Sequence, residues 1–396
     1  MAKLILNENR FFDSNSVVRD VAHELYSEIK DFPIISPHGH VDPNLFVENK
    51  PFPNPSELFI TPDHYVFRML YSQGIPLEDL GIPKSSSKRV GKDPRKIWQL
   101  FADNYYLFAG TPSGVWLDYE FNKVFGIEEK LDGSHAQKIF DLINEKLQTV
   151  EFLPRNLFKQ FNIELLSTTD SATDQLIYHK QIKESGWNGR VIPCFRPDAV
   201  TNLASPNWKD DIAELGKISG LDITTYKSYI SALELRREYF KNMGATSTDH
   251  GVLTPYTHKL SATECEEMFS KALNGSVTEK DADVFTGNML MEMARMSCED
   301  GLTMQIHAGA NRNHNNMIYE KYGLDKGCDI PQATEYTNNL KELLNFYGNN
   351  PNFTVIIFTL DETNYARELA PMAGHYPAMK LGPAWWFHDS IEGMTR

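Results

Sequence analysis

With 396 residues, 41% of them hydrophobic and 23% charged, the chain is long enough for a large core and ordinary for a soluble globular protein. A net charge of −14 argues against a nucleic-acid partner, which would need a basic face, and four scattered cysteines without a Cys-x-x-Cys pair argue against disulfides or a thiolate zinc site. Charges interrupt every apolar run well short of a membrane span, so a cytoplasmic protein with no membrane partner is expected.

The first predicted element is Pro33-Ile34-Ile35-Ser36, a short apolar strand running into Pro37-His38-Gly39-His40. Side chains at i and i+2 of an extended chain share a face, so His38 and His40 can project together and hold one divalent metal. The alternative is a pair of hydrogen-bonded structural histidines. Gly39 between them allows close approach of backbone or ligand. From Pro51 to Asn162 the pattern turns aromatic- and Leu-rich, with helical spacing over Pro94 to Phe108 and His135 to Leu147. Phe101, Tyr105, Tyr106 and Phe108 read as local core.

Strands and helices then alternate. Ile163 to Asp170 reads as a strand and Leu176 to Glu184 as a helix; Val191 to Arg196 reads as a strand that Pro193 weakens. A helix over Leu233 to Asn242 precedes the strand Ala245 to His250, and one over Ala282 to Asp300 precedes Thr303 to His307. A helix over Gln332 to Tyr347 precedes Phe353 to Thr359, and Ala378 to Gly382 is the last strand. Strands separated by helices predict βα units and a parallel sheet. Seven strands can be counted, each ending in polar or aromatic groups spread over the whole chain. That spread favours a (β/α)8 barrel, with its site at the C-terminal strand ends, over a doubly wound sheet. The expected division is a barrel of residues 1–50 and 163–396 with a helical insertion of 51–162 after the first strand. A smaller insertion is expected over Thr254 to Asp281.

With these residues in view, the chain resembles the uronate isomerases of the amidohydrolase superfamily over essentially its whole length. The marks are Ser36 to Pro43, Asp63-His64-Tyr65, Phe195-Arg196-Pro197-Asp198, Asp249-His250-Gly251, Met304-Gln305-Ile306-His307, Asn311-Arg312-Asn313 and Ala384-Trp385-Trp386-Phe387. The resemblance implies interconversion of aldo- and keto-hexuronates and one divalent metal, commonly zinc. It implies His38 and His40 as metal ligands, His64 and Tyr65 as a substrate-contacting pair, and Arg196 as the arginine of the third strand. Trp385 and Trp386 would form part of the pocket wall. It also implies a third ligand, an aspartate, and a nearby arginine at the end of an eighth strand. Asp361 and Asp389 are the nearest acids downstream, and neither sits in the expected context. A longer intact protein, or a barrel lacking its last strand, is therefore expected.

Aldose–ketose isomerisation needs a base at C2, an electrophile for the enediolate oxygens and a clamp for the carboxylate. Arg196 suits the clamp, or pairs structurally with Asp198. Tyr65 suits acid–base work, or the core; His64 suits a hydrogen-bond donor to substrate oxygens. Asp249 can act as base, orient His250, or cap a turn at Gly251. His307 can shuttle a proton, support a ligand from behind, or be a satisfied buried histidine. Arg312 can neutralise the substrate or pair with surface acids, and Trp385 and Trp386 can floor the pocket or fill the core. The competing functions are a metal-dependent hydrolase, for which Lys380 is not at a convincing ligand position, and an inactive truncated barrel. Aromatic-rich insertions often build subunit contacts, which leaves a homo-oligomer open.

Overall fold

The computed structural model describes residues 3–87, 93–382 and 388–396. Seven parallel strands follow one another in chain order: β1 (Ile34–Ser36), β2 (Ile163–Ser167, resumed at Asp170–Ser171), β3 (Arg190–Ile192, resumed at Phe195–Arg196), β4 (Ser247–Val252), β5 (Thr303–Ala308), β6 (Val355–Thr359) and β7 (Met379–Leu381). The register sets Ile35 opposite Leu165, Leu166 opposite Val191, Phe195 opposite Thr248, Asp249 opposite Gln305, Met304 opposite Val355 and Val355 opposite Met379. Ile34 and Ile35 of β1 both stay exposed.

β2 and β3 are each broken near their C-terminal ends, β3 at Pro193, which has no N–H to give to a ladder. Pairing resumes past the break, with Thr168 N–H donating to Ile192 O (2.9 Å), Asp170 N–H to Cys194 O (3.0 Å) and Ala172 N–H to Arg196 O (2.9 Å).

The sheet is strongly curled. His38 follows β1 and His307 lies in β5, yet their rings are 4.5 Å apart. In a flat sheet, four strand spacings would separate them by about 19 Å. The seven strands counted in the sequence are present, but a closed barrel is not formed among the described residues, where no hydrogen bonds join β7 to β1. What stands is an α/β fold with a curled parallel sheet.

Outside the sheet, Met304, Ile306, Val355, Ile357 and Met379 are buried with Phe240, Met289, Met293, Leu343 and Leu344 from the surrounding helices. Three of the helices on this side open with reciprocal caps, Thr225 with Ser228, Ser261 with Glu264 and Thr278 with Asp281. The helix predicted from Leu233 begins earlier, spanning Tyr226–Asn242. The helix predicted over Gln332 to Tyr347 is confined to Lys341–Tyr347. Upstream, the N–H of Thr334 donates to the carboxylate of Asp361, and those of Tyr336 and Thr337 donate to Glu368. Helices Ser16–Ile29 and Trp208–Ser219 have no counterpart among the predicted elements, and no residue of the first is buried.

Residues of the predicted insertion share a second core around Trp98, Phe101, Phe108, Phe121 and Ile139. Leu4 joins it, as do Ile318 and Tyr322 from the long excursion between β5 and β6. That excursion starts in a small antiparallel ribbon, Ala310–Asn311 with Ile330–Pro331. The insertion and one strand-end loop are therefore packed together beside the mouth of the sheet.

Arg237 is almost wholly enclosed and is neutralised by Asp300, through Nε to Oδ2 at 2.7 Å and Nη2 to Oδ1 at 3.0 Å. Removing one member of a buried pair leaves a charge without a partner. Asp300→Ala should lower the unfolding free energy by about 2–4 kcal/mol, toward the low end because Asp300 reaches solvent. Denaturant unfolding of the two proteins checks this; a change of less than about 0.5 kcal/mol would contradict it.

Candidate active site

β1 ends at Ser36, so His38 and His40 occupy the turn just beyond it. Thr169 Oγ1 donates to Gly39 O at 2.9 Å, pinning this turn against β2. A Cβ on Gly39 would lie 2.9 Å from the backbone oxygen of Ser167. The glycine between the histidines is thus required by backbone packing. The two rings stand edge to face, with centroids 4.9 Å apart.

On β4, alternation sends Asp249 and Gly251 to the inner face and Thr248 and His250 to the other. His250 Nε2 pairs with Thr248 Oγ1 at 2.9 Å. Asp249 is fully buried, and neither carboxylate oxygen has a hydrogen-bond partner among the described residues. Charged and imidazole groups nevertheless converge on it. His307 Nδ1 is 3.1 Å from Oδ1, while Arg196 Nη1 and His38 Nδ1 are 3.3 and 3.9 Å from Oδ2. Phe358 of β6 closes the apolar side, 4.7 Å from the His307 ring and 6.2 Å from that of His38.

Burial dominates the electrostatics. It pushes the His38 pKa down to about 3, with His40 and Arg196 acting in the same direction, and it holds His307 well below the ordinary value. Both imidazoles are therefore neutral near pH 7, and their contacts with Asp249 are not ion pairs there. Burial raises the Asp249 pKa to about 7 against the opposing pull of Arg196. His40 lies at the more open mouth; desolvation lowers its pKa, followed by Arg196 and Arg312.

His38, Asp249 and His307 offer ligand atoms that all lie within 4.8 Å of one another. Two neutral imidazoles and a carboxylate with unused lone pairs form a donor set suited to a divalent transition metal. His40 is not in this group, although it adjoins His38. Asp361 and Asp389 are also outside it. Asp361 is engaged by Thr334, Thr363 and Asn364, and Asp389 accepts from the Trp116 indole at 3.0 Å. Lys380 donates to Pro377 O at 2.8 Å on the exposed surface.

His64 and Tyr65 begin the helix His64–Ser72, which Asp63 caps by accepting from Tyr65 N–H at 2.8 Å. Their rings are 4.2 Å apart, and Arg68 lies 5.0 Å over Tyr65. His64 is close enough to His40 to influence its titration, which places this helix end beside the mouth. Arg312 sits in the excursion after β5, half exposed and 3.3 Å from Asp329, and its charge acts on both His40 and Asp249. Arg196 meets Asp249 and also donates from Nε to Asp198 Oδ2 at 2.7 Å. Trp385 and Trp386 lie outside the described residues.

Sequence reasoning identified each member of the His38–Asp249–His307 group but did not join them as ligands. The available signal was period two on adjacent strands: Asp249 and Gly251 on one, Gln305 and His307 on the next, all facing inward.

The glucuronate isomerase family model matches residues 6–396. The uronate isomerase of Phenylobacterium zucineum is 50% identical over 393 residues, covering 99% of this chain and 82% of that protein. The uronate isomerase of Nostoc punctiforme is 50% identical over 395 residues, covering 100% and 83% respectively. The crystal structure of glucuronate isomerase from Caulobacter crescentus superposes with a TM-score of 0.97 at 49% identity, covering 99% of this chain and 82% of that one. The uronate isomerase structure from Thermotoga maritima gives 0.90 at 26% identity, covering 98% and 83%.

Gly39→Ala would set a methyl group against an immovable strand carbonyl. The expected outcome is displacement of His38 and at least about a tenfold fall in affinity for a divalent metal, as when support behind a ligand is lost. Equilibrium dialysis with zinc measures it; unchanged affinity would show that the turn tolerates the methyl.

Proposed function

From the premise that the chain belongs to the uronate isomerase family, we propose that it interconverts D-glucuronate with D-fructuronate and D-galacturonate with D-tagaturonate. The proton moves between C2 and C1 through a cis-enediol. The observation that carries the reading is the buried Asp249 carboxylate, whose oxygens have no hydrogen-bond partner among the described residues, facing Arg196, His38 and His307. Such lone pairs are available to a substrate proton or to a cation.

A divalent metal, with zinc the first choice for this donor set, would be held by His38 and His40; it would polarise sugar oxygens as a Lewis acid. Asp249 then remains free to take the C2 proton, and His307 is placed to pass it on. Arg196 clamps the substrate carboxylate through its guanidinium fork, and Arg312 adds positive charge at the mouth. His64 donates to sugar oxygens, and Tyr65 serves as the second acid–base group beside it. Trp385 and Trp386 are assigned to the pocket wall from sequence resemblance alone. We read residues 51–162 as an insertion unit that brings His64 and Tyr65 to a barrel-like unit of residues 1–50 and 163–396. No described helix is long and apolar enough to cross a membrane; a cytoplasmic enzyme, with a homo-oligomer open, is the setting we infer.

A second reading is favoured by the close grouping of His38, Asp249 and His307. In it these three hold the metal and Tyr65 becomes the base. The two readings separate by experiment. Asp249→Asn should lower kcat by about 10²–10⁴-fold under the first reading, the usual scale for losing a general base, and by at least about tenfold under the second, through a weakened metal site. The first reading expects it to retain bound zinc and His40→Ala to lose it; the second expects zinc lost from Asp249→Asn and His307→Ala. Metal content by mass spectrometry and coupled reduction of the keto product give both readouts. Near-normal turnover by Asp249→Asn would sink both assignments, base and ligand alike.

A further inference from the structure

Arg196 could meet a carboxylate through either of two edges, and the structure shows what decides between them. Its Nε is taken by Asp198 Oδ2 at 2.7 Å. Asp198 is itself tied to β4, because Gly251 N–H lies 3.1 Å from each of its oxygens. Asp198 therefore bridges the end of β3 to the end of β4. The Nε side of the guanidinium is consumed by Asp198, Nη2 lies beside Gly251, and Nη1 reaches toward Asp249, 3.3 Å away.

The fit needs a glycine. A Cβ on Gly251 would come within 2.5 Å of Arg196 Nη2 and 2.8 Å of Asp198 Oδ2. No side chain can stand there while the pair keeps its place. Without Asp198, the nearest acid left to Arg196 is Asp249. The guanidinium would then swing fully onto it and withdraw from a ligand.

We propose that Asp198 is a positioning residue which, seated against Gly251, turns the Arg196 fork toward the substrate carboxylate and keeps it from collapsing onto Asp249. The proposal rests on Arg196 being the carboxylate clamp. It makes Asp198 a determinant of selectivity for sugar acids over neutral sugars, although Asp198 itself need not touch the substrate.

The test compares two competitive inhibitors, an open-chain six-carbon sugar acid and the matching polyol with CH2OH in place of the carboxylate. Asp198→Asn is expected to raise the acid's Ki by about tenfold or more and the polyol's by less than about twofold, because only the acid engages the charge-assisted fork. Gly251→Ala approaches the same contact from the other strand, with the carboxylate retained, and should give the same acid-selective loss. It serves as the deciding variant if Asp198→Asn fails to fold. Arg196→Gln is run alongside. If it abolishes the preference for the acid while both other variants keep it, the role of Asp198 is overturned and the clamp stands. If Arg196→Gln also keeps the preference, the clamp reading itself fails. Equal weakening of acid and polyol in the folded variants would overturn positioning in favour of general disruption.

Discussion

The constraint on which the site depends is a carboxylate with no access to water. Asp249 is fully buried, and a charge so enclosed is costly unless something opposes it. Arg196 is the permanent cation in contact with it, and the neighbouring imidazoles are kept neutral by the same burial. The neighbourhood is arranged around this imbalance: Phe358 excludes solvent, Arg196 is restrained from the far side, and His38 and His307 present nitrogen atoms rather than charges. A chemical event that brings a proton or a cation to Asp249 relieves a tension already present in the fold.

Much of the architecture was legible because the strands read as short apolar runs with polar ends, buried in the middle of the sheet and more exposed at its edges β1 and β7. All seven strands stand where those runs occur, and Pro193 marks the break in β3. The overextended helix before Tyr347 has a different origin. Its backbone donors are captured by Asp361 and Glu368, which lie far along the chain, and helical periodicity contains no information about such partners. The helix Ser16–Ile29 escaped notice for a related reason: it buries none of its residues, so a search for core-facing elements passes over it.

The site was legible in its parts and not in its assembly. His38 announced itself through His-x-His, and Asp249 and His307 through their strand-end positions. Their convergence depends on the curl of the sheet, which brings the turn after β1 against β5, and curl is not written in any local pattern. Arg196 shows the opposite case. Its structural pairing with Asp198 and its proposed work on substrate looked like competing readings in the sequence; in the structure Nε takes Asp198 while Nη1 reaches Asp249, so the two are compatible.

Ile318 and Tyr322 belong to the loop that carries Arg312, yet their side chains are embedded among the insertion helices. Loops at strand ends are usually the parts most easily exchanged when a scaffold is given a new specificity. This one has been taken out of that class. Grafting a foreign sequence between β5 and β6 would tear two anchors from a neighbouring core, so redesign must transplant the loop and its facing helices as one cassette.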